Sequence, residues 1–110
     1  MSEILYAAVS FHNEDEVESV LRDNPGLDVN WVSGKDDWTA LHFAANRGDD
    51  DIVKMLLAHP DIDVNAADYR GRPPISLACE EGELSVVKLL LEDARVDAAL
   101  EDYGNRSPLW

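Results

Sequence analysis

The stretch TALHFAANRGDDDIVKMLLAHPDIDVN, residues 39–65, decides the fold because it recurs along the chain. Residues 73–99, PPISLACEEGELSVVKLLLEDARVDAA, align with it at a shift of 34 positions and share the pattern V-K-x-L-L. Residues 5–30 join the alignment at a shift of 35, and a fourth copy begins with EDYGNRSPLW at residue 101. A repeat of this length predicts a solenoid of stacked units.

Each unit is predicted to contain two short helices. Thr39–Arg47 carries its apolar residues on one face at helical spacing, and a second apolar stripe follows a short break. Gly48 and Gly82 occupy this break, and the alignment places Asn13 at the same position, so all three are expected to adopt a positive φ. The second helix opens on acidic residues, which favour the positive end of the helix dipole. No unit can bury both stripes alone, so the units must stack.

The segment DWTALHFAANRGDDDIVKMLLAHPDIDVNAAD, residues 37–68, resembles the ankyrin repeat, whose pattern is G-x-T-P-L-H-x-A-A-x-x-G, then an aliphatic K-x-L-L helix and a D-V-N-A end. The resemblance covers nearly the whole chain in register. It implies an all-α ankyrin-repeat solenoid of helix-turn-helix units with projecting β-hairpin-like loops. It also implies a concave face of loops and first helices, where ankyrin proteins usually bind other proteins. We expect one domain that continues beyond residue 110, with units at about 3–33, 34–67, 68–101 and a partial unit at 102–110.

Several positions depart from the ankyrin pattern. Asp37 occupies the turn position that Gly71 fills in the next unit, and aspartate tolerates the left-handed region with some strain. The resemblance implies that His42 bonds a threonine hydroxyl and the neighbouring loop. The third unit has Pro73 and Ser76 at the threonine and histidine positions. We therefore expect a weaker hydrogen-bond network in the third unit.

The composition excludes several classes of function. The chain has 23 acidic and 9 basic residues and a net charge of −14, which opposes binding to a phosphate backbone and excludes nucleic acid as a partner. No apolar run approaches the ~18 residues of a membrane span, and the N-terminus lacks the layout of a secretory signal. We expect no membrane partner, a cytoplasmic and/or nuclear location, and a monomer.

Candidate catalytic and metal-binding groups are few. Cys79 aligns with Ala45, a buried helix position, and no histidine is placed beside it by spacing. Asp61 and Asp63 imitate the start of a calcium loop, but Ala66 stands where that loop needs glycine. We therefore predict neither enzymatic activity nor a cofactor or metal.

The resemblance implies that the exposed positions flank the turn glycine and precede the inter-helix glycine. These positions hold five of the nine basic residues together with Trp and Tyr, the residue types that dominate binding hot spots. We predict that they bind a partner protein with an acidic or phosphorylated segment. The predicted partner-binding residues are Lys35, Asp36, Trp38, Asn46, Arg47, Tyr69, Arg70, Arg72, Glu80, Glu81, Tyr103 and Arg106.

Alternatives to this interpretation remain open. Loop tips are polar in any protein, and the Trp38 ring could act only as a spacer against the next loop. Instead of a protein-protein interaction scaffold, the domain could be an acidic escort or inhibitor that attracts a basic protein through its total charge. A regulatory ankyrin segment of a larger protein is a further possibility.

Overall fold

The computed structural model describes residues 3–34 and 36–96. Within these ranges the chain forms six helices and no strands, which confirms the predicted all-α class. The helices are α1 (Glu3–Ser10), α2 (Glu14–Asp23), α3 (Ala40–Arg47), α4 (Asp50–Leu57), α5 (Pro74–Glu80) and α6 (Leu84–Glu92).

The helices form two layers of three. The inner helices α1, α3 and α5 pack side by side, and the outer helices α2, α4 and α6 form a parallel row behind them. Ala44 and Ala45 are fully buried, and their small side chains let α3 approach its inner neighbours closely. Equivalent buried positions recur in each unit, namely Leu5, Leu41 and Ile75 on the inner helices and Val20, Leu56 and Leu90 on the outer helices.

Helix α3 begins with a capping box that also ties the second unit to the third. The Thr39 hydroxyl accepts the backbone N–H of His42 at 3.2 Å, and His42 Nδ1 accepts the Thr39 N–H at 3.1 Å. Because Nδ1 is an acceptor, the ring proton lies on Nε2, which donates to the Arg72 carbonyl oxygen at 2.9 Å. Burial lowers the pKa of His42, in agreement with a neutral ring. The predicted role of His42 is confirmed.

The third unit lacks an equivalent network among the described residues. Pro73 caps α5 without a side-chain hydrogen bond, and Pro74 occupies the first helical turn, where a missing N–H costs nothing. The Ser76 hydroxyl is buried and has no hydrogen-bond partner there. The weaker network predicted for this unit is therefore confirmed.

The turn predictions hold for the loops but not for the first unit. Asp37 and Gly71 have φ of 56° and 78°, as their shared turn position requires. The prediction that Asn13 adopts a positive φ is wrong. His12 has φ 57° in the place of Gly48, whereas Asn13 has φ −91° and caps α2 by accepting the Glu16 N–H at 3.1 Å.

The physical reason is one extra residue in the first unit. His12 and Gly48 are 36 positions apart, so the helices of the first two units align at 36 and not at 35. The loops after the outer helices do align at a shift of 35. The Leu27 N–H donates to the Asn24 carbonyl, and 35 positions later the Ile62 N–H donates to the His59 carbonyl. The chain therefore accommodates the extra residue at the end of α2, which is two residues longer than α4.

Side-chain amides link the loops that follow the outer helices. Asn30 donates through Nδ2 to the Asp61 carbonyl at 2.9 Å and accepts the Asp63 N–H at 2.7 Å. Asn65 repeats the first bond one unit later by donating to the Arg95 carbonyl at 2.8 Å. These loops contain no strands, so the side-chain amides provide hydrogen-bond partners for backbone groups that would otherwise lack them. The same bonds hold successive units in register.

Candidate functional site

The inner face comprises the exposed sides of α1 and α3, the start of α5 and the loops that lead into them. Four aromatic rings cross it in a continuous row, hereafter the aromatic row: Trp31, Tyr6, Phe43 and Trp38. Successive ring centroids lie 5.7, 5.5 and 6.1 Å apart, at interplanar angles of 68–80°. Such edge-to-face contacts are favourable and fix the orientation of each ring. All four side chains are half-buried, so each ring still presents part of its surface to solvent.

A guanidinium group lies over one of the two inner rings of the row. Arg47 lies over the Phe43 ring with its Cζ atom 5.4 Å from the centroid, the geometry of a cation–π contact. The two residues are four positions apart on α3, so they share one face of the helix. In the third unit Leu77 stands at the position of Phe43 and is buried. The aromatic row therefore belongs to the first two units.

A buried carboxylate connects the aromatic row to the third unit. Asp68 Oδ2 accepts from Trp38 Nε1 at 3.1 Å and from Arg72 Nε at 3.0 Å, while Oδ1 accepts the backbone N–H groups of Arg70 and Arg72, each at 2.9 Å. Burial opposes ionisation of Asp68. The N–H groups and the Arg72 guanidinium outweigh this effect and lower its pKa. The site therefore holds a charged carboxylate at neutral pH.

Arg72 is held between two acidic residues. Besides Asp68, its Nη1 lies 3.3 Å from both carboxylate oxygens of Glu80, and only 12% of its side chain is exposed. A guanidinium with two carboxylate partners has few free donors for a third. Arg72 therefore braces the loop against α5, and the partner-binding role predicted for it would require Glu80 to move.

The structure gives most of the predicted partner-binding residues a position on this face. The tips of neighbouring loops are joined by the Tyr69 N–H, which donates to the Asp36 carbonyl at 3.1 Å. Lys35, Tyr103 and Arg106 lie outside the described residues. The exposed residues are Arg47, Tyr69, Arg70, Glu80 and Glu81, and the half-buried ones are Asp36, Trp38, Asn46 and Arg72.

The structure brings two of the predicted residues together, because the Trp38 and Arg72 side chains both bond Asp68. The Trp38 indole thus contacts the next loop, as the spacer interpretation expected, and its ring also packs on Phe43. Binding of a partner at these residues stays a prediction.

Sequence reasoning missed three residues of the aromatic row, Tyr6, Trp31 and Phe43. The spacing of Phe43 and Arg47 carried a signal, because an aromatic residue and an arginine four positions apart form a pair on one helix face. Tyr6 and Trp31 belong to the unit with the extra residue, where a single alignment shift assigns helix faces incorrectly.

Two arginines of the inner face lack acidic partners within the described ranges. Arg70 uses its backbone N–H to bond Asp68, and its side chain is exposed without an ion pair. Within the described ranges the Arg47 guanidinium contacts the Phe43 ring and forms no ion pair. Unlike Arg72, these two groups can meet an incoming carboxylate or phosphate without first giving up an ion pair.

The described residues offer little for catalysis. Cys79 is half-buried against the core, and burial followed by the charge of Glu80 raises its pKa, so the thiol stays protonated. In residues 3–34 and 36–96 no three His, Cys, Asp or Glu side chains converge as metal ligands. None of the helices there has the length and apolar character needed to cross a membrane.

Comparison with known proteins agrees with this architecture. A profile of ankyrin repeats in three copies matches residues 4–102. The chain belongs to the ankyrin-repeat family, whose members are generally protein–protein interaction modules and typically non-catalytic. The chain is similar to the tyrosine-protein kinase HTK16 of Hydra vulgaris, with 35% identity over 78 residues. That match covers 68% of this chain and 10% of the kinase.

Proposed function

We propose that this domain binds a short segment of another protein on its inner face. The aromatic row is the observation that carries the proposal. A partner residue that covers the remaining exposed parts of these rings would bury apolar surface without having to order the rings first, because their mutual contacts already fix them. Central aromatic and arginine residues of this kind contribute ~2 kcal/mol or more to binding.

Arg47 and Arg70 favour an acidic or phosphorylated residue beside the apolar anchor of that segment. Neither guanidinium has a carboxylate partner in the described ranges, so neither must break an ion pair to bind one. The acidic surroundings of the face restrict this preference to one or two negative groups, since Asp36, Glu80 and Glu81 would repel a longer acidic run.

A second candidate is a regulatory ankyrin segment within a larger protein. Its support is the similarity to a protein that is much longer than the matched region. In that case the bound segment could belong to the same polypeptide, and the contacts would be those of the inner face. The acidic escort or inhibitor is the third candidate, and the net charge of −14 supports it.

Peptide selection on the purified domain tests the proposal. A displayed library of 12-residue segments, in phosphorylated and unphosphorylated form, would be selected and the affinities of the winners measured. Phe43→Leu introduces the residue of the third unit, and Arg70→Glu reverses an exposed charge, so both variants should fold. We expect each to weaken binding at least tenfold. Lys54→Glu, on the outer face of α4, is the matched charge control and should bind like the unchanged protein.

Two results would contradict the proposal. Affinities that are the same in the inner-face variants would show that this face is not the site. Selection of basic peptides, with Lys54→Glu and Arg70→Glu both strengthening binding equally, would instead show that total charge recruits the partner, as an escort requires.

A further inference from the structure

Helix α1 has an uncovered apolar side that is distinct from the inner face. Ile4, Ala7 and Phe11 lie at positions i, i+3 and i+7. Phe11 follows Ser10, the last residue of α1, but its N–H still donates to the Ala7 carbonyl, so the three side chains form one stripe, hereafter the α1 stripe. Ile4 is 43% exposed and Phe11 81% exposed, and Ala7 is exposed as well. The side toward the core carries Leu5, and Tyr6 points into the aromatic row. The stripe is therefore a third side of the helix.

The packing of the units explains why this side is open. Helix α3 lies between α1 and α5, whereas α1 packs mainly against α2 and α3 among the described helices. Phe11, which follows the last residue of α1, is also unusual within this chain. The structurally equivalent positions at the ends of α3 and α5 hold charged residues, Arg47 and Glu81. A solvated end of an inner helix is thus polar in two units and aromatic in one.

Negative charge borders the stripe at its C-terminal end. Phe11 lines a surface depression of about 440 Å³ together with His12, Asn13, Glu14 and Asp15. Glu14 and Asp15 are exposed in the first turn of α2. His12 adds no free cation, because its Nδ1 lies 2.7 Å from an Asp49 carboxylate oxygen. The depression therefore places the Phe11 ring beside two carboxylates that have no ion pair within the described ranges.

We propose that the α1 stripe binds an amphipathic helix of a partner protein that carries Lys or Arg beside its apolar face. The apolar residues would cover Ile4 and Phe11, and the basic residues would meet Glu14 and Asp15. This occupant fits the charge of the surface. A second copy of the chain does not, since a two-fold contact would bring the same carboxylates together on two molecules of net charge −14.

The dimensions of α1 limit the partner segment. A helix of eight residues is about 12 Å long, so a partner helix of roughly two to three turns covers the whole stripe. Its contacts would be the i, i+3, i+4 and i+7 anchors of a helix that lies along another helix. The α1 stripe and the inner face use different residues, so both could be occupied at once.

An NMR titration of the 110-residue chain tests this proposal. The probe is a synthetic 18-residue amphipathic helix of Leu and Lys, added at about 150 mM salt to screen distant charges. We expect amide shifts at Ile4, Ala7, Phe11 and Glu14, and at least tenfold weaker binding to Phe11→Ser. Because Phe11 is 81% exposed, this variant should fold normally. Leu84→Ser, which removes another apolar side chain that is 78% exposed, is the matched control and should bind like the unchanged protein.

Two further peptides separate shape from charge. A peptide with Glu in place of Lys should not bind, and a scrambled Leu and Lys peptide of equal charge should bind at least tenfold more weakly. Equal binding of the scrambled peptide, or equal binding by Phe11→Ser, would overturn the proposal. Sedimentation that shows a dimer of the free chain, dissolved by Phe11→Ser, would overturn it in favour of a second copy.

Discussion

The second and third units place different side chains at the same structural position. In the second unit His42 joins Thr39 to the Arg72 carbonyl of the next loop. In the third unit Ser76 is buried at the position of His42, and its hydroxyl has no partner among the described residues. The polar link that joins the second unit to the next loop therefore has no counterpart in the described part of the third unit.

The two units also differ on the inner face. The second unit presents Trp38 and Phe43 with part of each ring exposed, while the third has Arg72 and Leu77 at these positions. Arg72 is neutralised by its acidic partners and Leu77 is buried. The apolar surface of the aromatic row is therefore concentrated on the first two units. The third unit supplies Asp68, whose carboxylate accepts the hydrogen bond that positions Trp38.

Removal of the Asp68 carboxylate should have the largest effect on stability. Asp68→Ala would leave the Arg72 guanidinium with Glu80 alone and would deprive the Trp38 indole of its acceptor. Loss of one partner of a buried pair costs 3–5 kcal/mol, and the partial exposure of Arg72 places the expected loss near the lower end, at about 3 kcal/mol. Urea unfolding at pH 7 measures it.

The control for this variant is Asp61→Ala. Asp61 is an exposed loop residue whose side chain makes no hydrogen bond within the described ranges, so its replacement should change the free energy of unfolding by less than about 0.5 kcal/mol. If Asp68→Ala costs no more than Asp61→Ala, the carboxylate does not join the two units.

Part of the contrast between the second and third units was predictable from sequence, namely the part that depends on residues with a fixed role at their position in the repeat. Thr39 and His42 have roles that follow from their place in the repeat, and the structure confirms them. The role of Asp68 was not predictable in this way. An aspartate before a turn is typical of an exposed loop, but Asp68 is buried and accepts a hydrogen bond from Trp38, which is 30 positions away.

The first unit shows a second limit of sequence reasoning. Its loop matches the second unit at one shift and its helices at another, so an alignment that favours the loop places Asn13 incorrectly. His12 was not expected to adopt a positive φ, because the alignment at a shift of 35 placed Asn13 at the glycine position. The faces of α1, and with them the aromatic row and the α1 stripe, follow only when the extra residue is located.

The pH dependence of stability tests whether the neutral His42 ring links the second unit to the third. Burial lowers the pKa of His42 below its ordinary value of 6.5 in the folded state. Above pH 6.5 the ring is neutral in both states. As the pH falls below 6.5 the unfolded chain takes up a proton that the folded chain does not, so stability decreases by up to about 1.4 kcal/mol per pH unit.

His42→Gln is the matched variant, because its amide cannot titrate in this range. Unfolding by urea between pH 7 and pH 5 should show a flatter dependence in this variant than in the unchanged protein. The other two histidines are present in both chains, so the comparison isolates residue 42. Asp68 affects a separate range, since its lowered pKa makes its contribution disappear only below about pH 3.8. Equal slopes in the two chains would show that His42 accepts a proton as readily in the folded state.

The smallest effect is expected in the third unit, and its sign is opposite. Ser76→Ala removes a buried hydroxyl that has no partner among the described residues, so the cost of keeping it from water disappears. We expect a gain of about 1 kcal/mol in the free energy of unfolding. Ser85→Ala, at an exposed position of α6, isolates the part due to the higher helix propensity of alanine. A loss of stability in Ser76→Ala would mean that the hydroxyl is bonded, and the two units would then be fastened alike.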